Sequence, residues 1–99
     1  MPSIHLIEKI DKFKIADSGL PEWESGDWRI RECHAQKLVG GNIYLHRGQL
    51  LPSFKGGQIL GYRPTKKGKV AFRFKELDSH SGISTEKSGW GNEQKRVWD

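Results

Sequence analysis

Gly57-Gln-Ile-Leu-Gly-Tyr-Arg63, then Pro64-Thr-Lys-Lys-Gly68, then Lys69-Val-Ala-Phe-Arg-Phe-Lys75 reads as strand, turn, strand. The turn holds Pro and Gly, which set and free the backbone angles a reversal needs. The second run alternates Val70, Phe72 and Phe74 with Lys69, Ala71, Arg73 and Lys75. A period of two puts the apolar set on one face and the cationic set on the other. Two such runs joined by a short turn predict an antiparallel hairpin over 57–75.

Working outward, Asn42-Ile-Tyr-Leu-His-Arg47 reads as a strand, and Trp28-Arg-Ile-Arg-Glu-Cys33 alternates like a half-buried one. Ser3-Ile-His-Leu-Ile7 is β-branched and apolar and predicts a short strand. Ile4, Ile7, Ile10 and Phe13 recur every third residue, so residues 8–15 stay open between strand and helix. Residues 17–27 carry Ser18-Gly19, Pro21 and Ser25-Gly26 and predict a loop or a short helical turn. That segment also holds the main acidic cluster, Asp17, Glu22, Glu24 and Asp27. Residues 34–39 suit one helical turn stopped by Gly40-Gly41, and residues 48–55, around Pro52, read as irregular. A long Ser- and Gly-rich loop over 78–91 leads to a closing strand at 92–98. The expected fold is mostly β (β-rich α+β). It is a partly open antiparallel β-barrel of five or six strands with one or two short helices, formed by residues 1–99 as a single domain.

The length, 99 residues, fits one core, and ten aromatic residues argue against disorder. Cys33 is the only cysteine, which excludes a disulfide scaffold and points to a reducing cytoplasm. No apolar run suits a signal peptide or a membrane span, so no membrane partner is expected. A net charge of +5 and a pI near 9.5 favour a polyanionic partner, with nucleic acid (RNA or DNA) foremost.

Three features supply candidate contacts. Arg63, Lys66, Lys67, Lys69, Arg73 and Lys75 crowd the hairpin, with no acid before Glu76. Cations in a row neutralise successive phosphates and release counterions; the plainer alternative is a solvated face that discourages strand pairing. In the loop 46–57, His46, Arg47, Gln49, Ser53 and Lys55 offer polar contacts. There Gly56 and Gly57 would let a ligand approach the backbone. The loop lacks the P-loop pattern. Trp23, Trp28, Tyr44, Tyr62, Trp90 and Trp98 are the candidates to stack on a base. Trp23 and Trp90, in turn-rich segments, are the preferred pair. Cys33, His34, His5, His46 and His80 match no zinc spacing, so no metal and no cofactor are expected. No catalytic residue is assigned.

The run Asn42 to Arg63, with its Gly-Gly opening an Ile-x-Gly-Tyr strand, resembles small PUA-like domains of the ASCH and EVE type. Leu38-Val-Gly-Gly-Asn-Ile-Tyr44 and the Phe72-Arg-Phe74 strand extend the resemblance over residues 28–74. The resemblance implies a basic β pseudo-barrel that reads a base or modified nucleotide in a pocket beside the hairpin. It also allows a small hydrolase acting on a modified nucleoside. The Lys, Thr and Glu of such enzymes do not carry over, because Thr85, Glu86 and Lys87 are adjacent here. A protein-interaction module is the third reading. It would expose an apolar patch and need no pocket.

Overall fold

The computed structural model describes residues 2–8, 14–15, 22–85, 89–91 and 94–98. Among them are β1 (Ser3–Ile7), β2 (Lys14–Ile15), β3 (Glu22–Arg29), α1 (Glu32–Leu38), β4 (Asn42–His46), β5 (Ser53–Lys66), β6 (Lys69–Glu76) and β7 (Gln94–Val97). A 3-10 turn spans Asp78–His80. The strands form one sheet in the order β2-β3-β6-β5-β4-β1-β7, with β2 and β7 as its two edges, so the sheet is open. The fold is mostly β, as expected. Neighbours are antiparallel except β1 and β4, which run parallel with Ser3 opposite Asn42 and Ile7 opposite His46. The sheet is therefore mixed, and the long chain path between β1 and β4 provides the crossover a parallel pair requires.

The β5–β6 hairpin is the centre of this sheet, longer and more tightly turned than the sequence suggests. Lys66 pairs with Lys69, so only Lys67 and Gly68 form the turn. Gly68 has φ of 75°, a left-handed angle that suits glycine. Pro64 and Thr65 lie in β5, where a bulge between Pro64 and Lys66 tolerates a residue with no N–H to donate. At its other end β5 begins at Ser53, so residues 53–55 are ordered strand and not irregular. The loop 81–83 completes their pairing: the Ser53 N–H donates to the Ile83 carbonyl at 2.8 Å, and the Gly82 N–H donates to the Ser53 carbonyl at 2.7 Å.

Residues 22–27 were expected in a loop and instead belong to β3, paired along β6 from Glu22 opposite Lys75 to Arg29 opposite Lys69. The turn-forming Ser25-Gly26 sits at a register shift between Ser25 and Trp28. There a bulge uses glycine inside a strand. Gly26 also lets β3 close on Ala71, since a Cβ there would stand 2.6 Å from that side chain. This approach buries Ala71, which the alternation had placed on the outer face. β3 ends at Arg29. Residues 30–33 do not continue it, because Ala35 and Leu38, three apart on α1, bury one helical face. Residues 9–13 and 16–21 lie outside the described residues.

Phe72, Phe74 and Val70 meet Ile59, Trp28, Ile30, Ile4, Leu6, Ile43 and Leu45 in one core, closed by Ala35 and Leu38 of α1. Burying each such large side chain stabilises the fold by about 1.5–3 kcal/mol. β1 and β4 present a second buried face as well. His5, Ile7 and His46 point away from Ile4, Leu6, Ile43 and Leu45, yet are also out of solvent.

Candidate nucleic-acid interface

At the hairpin tip, β3, β6 and β5 bring three cations abreast: Arg29 opposite Lys69, and Lys69 opposite Lys66. Like charges placed directly across a ladder destabilise a sheet. None of the three has an ion-pair partner among the described residues. A groove of about 600 Å³ lies beside them, lined by Ile30, Arg31, Glu32, Pro64, Thr65, Lys66, Lys67, Gly68 and Lys69. It shares Ile30, Arg31 and Gly68 with a depression of about 310 Å³ that adds Arg29, His34 and Arg96. Among the described residues, six cations and one acid, Glu32, therefore line a continuous surface. In the groove wall the Thr65 hydroxyl oxygen is buried with no hydrogen-bond partner among the described residues. The Arg96 guanidinium donates to His34 Nδ1 at 2.9 Å. Arginine keeps its protons, so that nitrogen carries the imidazole lone pair. The Trp98 ring stands 6.1 Å from His34 and is 47% exposed.

The candidates read from the sequence separate in space. Lys66, Lys67 and Lys69 line the groove. Arg63 is engaged elsewhere: its Nε and Nη2 donate to the two Glu24 carboxylate oxygens at 2.8 and 2.6 Å, which raises the Arg63 pKa. Arg73 is opposite Glu24, and Lys75 is opposite Glu22, so the acidic segment shadows the middle of the hairpin and leaves its tip cationic. The Arg63–Glu24 pair is solvated, and Arg63→Ala should leave the melting temperature almost unchanged in a thermal scan.

Trp23 is committed to packing. Its indole N–H donates to Glu76 Oε1 at 2.9 Å, Lys55 Nζ lies 3.9 Å above its ring, and Lys55 pairs with Glu76 Oε2 at 3.0 Å. Arg47 covers the Phe54 ring at 4.0 Å and donates to the Glu8 carbonyl at 3.0 Å. Gln49 is half-buried. Ser53 is buried, donating to the His80 carbonyl at 2.6 Å and accepting from the Ile83 N–H at 3.0 Å. Gly56 and Gly57 serve neighbouring strands rather than a ligand: a Cβ on Gly56 would strike the Ile43 carbonyl, and one on Gly57 the Lys75 carbonyl.

His46 and Trp90 belong to the second buried face. His5 and Lys95 are paired across β1 and β7, and His5 and Tyr44 across β1 and β4. Tyr44 is sandwiched between His5 at 4.7 Å and His80 at 4.9 Å, both nearly parallel to it. Trp90 sets an edge against His46 at 5.6 Å. A carbonyl only accepts, so His46 Nδ1, 2.9 Å from the Leu51 oxygen, carries a proton. Burial lowers the His46 pKa and keeps the ring neutral, although the Leu51 bond opposes that shift. Its Nε2 is then an acceptor, and His5 Nδ1 donates to it at 2.9 Å. His5 is neutral too, its pKa lowered to about 4 by burial first and then by repulsion from His46 and Lys95. Its remaining nitrogen, Nε2, is left with a lone pair. Beside it, Lys95 Nζ donates to the Thr85 hydroxyl at 2.8 Å. Among the described residues, no group of three or more His, Cys, Asp or Glu side chains is arranged to hold a metal ion.

Sequence reasoning missed Arg29, Arg31, His34 and Arg96, and it named Trp98 among the stacking candidates but preferred Trp23 and Trp90. Arg29 and Arg31 alternate with Trp28 and Ile30, a visible outward-facing pattern. Only the β3–β6 register shows that they meet the hairpin tip. No protein-family model, no curated protein and no solved structure matches this chain. No helix among the described residues is long and apolar enough to cross a membrane.

Proposed function

We propose that this protein binds nucleic acid through the groove between the hairpin tip, the start of α1 and β7. The observation that carries the reading is the row Arg29–Lys69–Lys66, set abreast with no acidic partner among the described residues. Such a row costs folding stability and supplies what a phosphate backbone requires. Local rules broken in this way concentrate at functional sites. Thr65, whose buried hydroxyl has no hydrogen-bond partner among the described residues, also lines the groove. The PUA-like resemblance of residues 28–74 supports the same reading, and a base or modified nucleotide read beside the hairpin is its finer form. An exposed, unpaired Cys33 suits a reducing cytoplasm.

The test is charge reversal at Lys66, Lys67 and Lys69 together, with binding of a labelled oligonucleotide followed by fluorescence anisotropy. Each lost phosphate contact takes about 0.7–0.9 off the slope of log affinity against log salt, so the triple variant should lose roughly 2 to 3. An unchanged affinity and slope would refute the reading.

One observation favours a second reading, the small hydrolase. Lys95, the Thr85 hydroxyl and His5 come together on the second buried face. Release of the acyl group from an N-acylated nucleoside, lost in Thr85→Ala, would support it. The exposed Leu50 and Leu51 in the loop before β5 are the feature a protein-interaction module would use.

A further inference from the structure

Next to the cationic groove, beyond His34, stands an aromatic ring. Trp98 follows β7 directly, with 47% of its surface in solvent, and its ring is tilted 59° to His34. His34 accepts from Arg96, two residues before Trp98, and both His34 and Arg96 line the 310 Å³ depression with Arg29 and Arg31. A half-exposed indole offers a flat apolar face on which another ring can stack. Here it neighbours His34, which lines the depression together with Arg29, Arg31 and Arg96. A nucleic-acid strand repeats the matching chemistry, a phosphate beside a flat base. In a duplex the base faces are stacked on one another and withheld from a side chain. In a single strand they are free to stack on an aromatic ring.

We propose that the strand bound in the groove is single-stranded, with one base stacked on Trp98 and its neighbouring phosphate held by Arg96, Arg29 and Arg31. This rests on the nucleic-acid reading of the groove and adds the form of the strand and its stacking residue. Lys95 and Arg96 register with His5 and Ile4 respectively, so they leave β7 on opposite faces. The stacking site is thus distinct from the histidine cluster.

The experiment uses three labelled probes of equal length: a single-stranded oligothymidine, its duplex with oligoadenine, and a single strand with abasic sugars that keeps every phosphate. Trp98 is exposed, so Trp98→Ala should fold, and circular dichroism checks that it does. The wild-type protein should prefer oligothymidine to both other probes. Trp98→Ala should weaken oligothymidine binding roughly 5- to 150-fold, the range for losing one base–aromatic stack. It should leave abasic binding and the salt slope unchanged, and Trp98→Phe should restore most of the loss. Equal oligothymidine affinity in wild type and Trp98→Ala would overturn the inference, as would tighter binding of the duplex. If those results come with a strong effect of the Lys66, Lys67 and Lys69 reversal, the groove reading stands and only the stacking proposal falls. If the wild type binds none of the probes at low salt, both fall.

Discussion

Gly57→Ala is expected to lower the melting temperature by roughly 12–24 °C. The residue opposes Glu76 at the crossing of β5 and β6, and an added Cβ would overlap the Lys75 carbonyl and crowd the Glu76 Cα. Both obstacles are backbone, so no side chain can swing aside. Overpacking of this kind costs about 3 kcal/mol, and in a domain of this size each kcal/mol shifts the midpoint by roughly 4–8 °C. Gly61 is the control. Nothing lies within 4 Å of a Cβ built there, so Gly61→Ala should leave the midpoint nearly unchanged or raise it slightly. Thermal unfolding followed by circular dichroism compares the two. Equal midpoints would contradict the packing described for the Gly-Gly step.

Acid should destabilise the fold well before its carboxylates titrate. His5 is neutral in the folded chain, with its pKa lowered from 6.5 to about 4. Between those values the unfolded chain binds the extra proton, so stability falls as pH drops through that window. At pH 5 the His5 contribution alone comes to about 2 kcal/mol lost relative to pH 7. His46 and His80 are lowered by burial and act in the same direction. Protonated His5 would face Lys95 from β7 and a second imidazole from β4, both of which oppose its charge. Denaturant midpoints at pH 7 and pH 5 measure the loss, and His5→Gln should flatten it. A midpoint at pH 5 equal to that at pH 7 would contradict the neutral, hydrogen-bonded pair.

Strands were legible wherever one face is apolar and the other polar. β4 and β6 show that alternation in the sequence, whereas β1 was read from its β-branched, apolar composition and β7 from the apolar Val97 and Trp98 at its end. β3 was hidden because its turn-forming residues sit at a bulge inside the strand, and composition does not distinguish a bulge from a loop. The role of Gly-Gly was read as access for a ligand. Its cause is the close approach of Ile43 and Lys75, residues distant along the chain. The hairpin lysines were identified, yet half of the cationic groove comes from Arg29, Arg31 and Arg96, which only the sheet register brings alongside. Trp23 drew notice for its turn-rich surroundings, and the fold instead covers it with Lys55. Burial of an aromatic ring depends on neighbours supplied by tertiary structure, which local composition does not report.

The most direct test of the account is a salt series for the wild-type protein with a labelled single-stranded oligonucleotide, read by anisotropy. A groove lined by six cations predicts that log affinity falls linearly with log salt, with a slope between roughly −2 and −4. No binding at low salt, or an affinity indifferent to salt, would contradict a phosphate-binding groove.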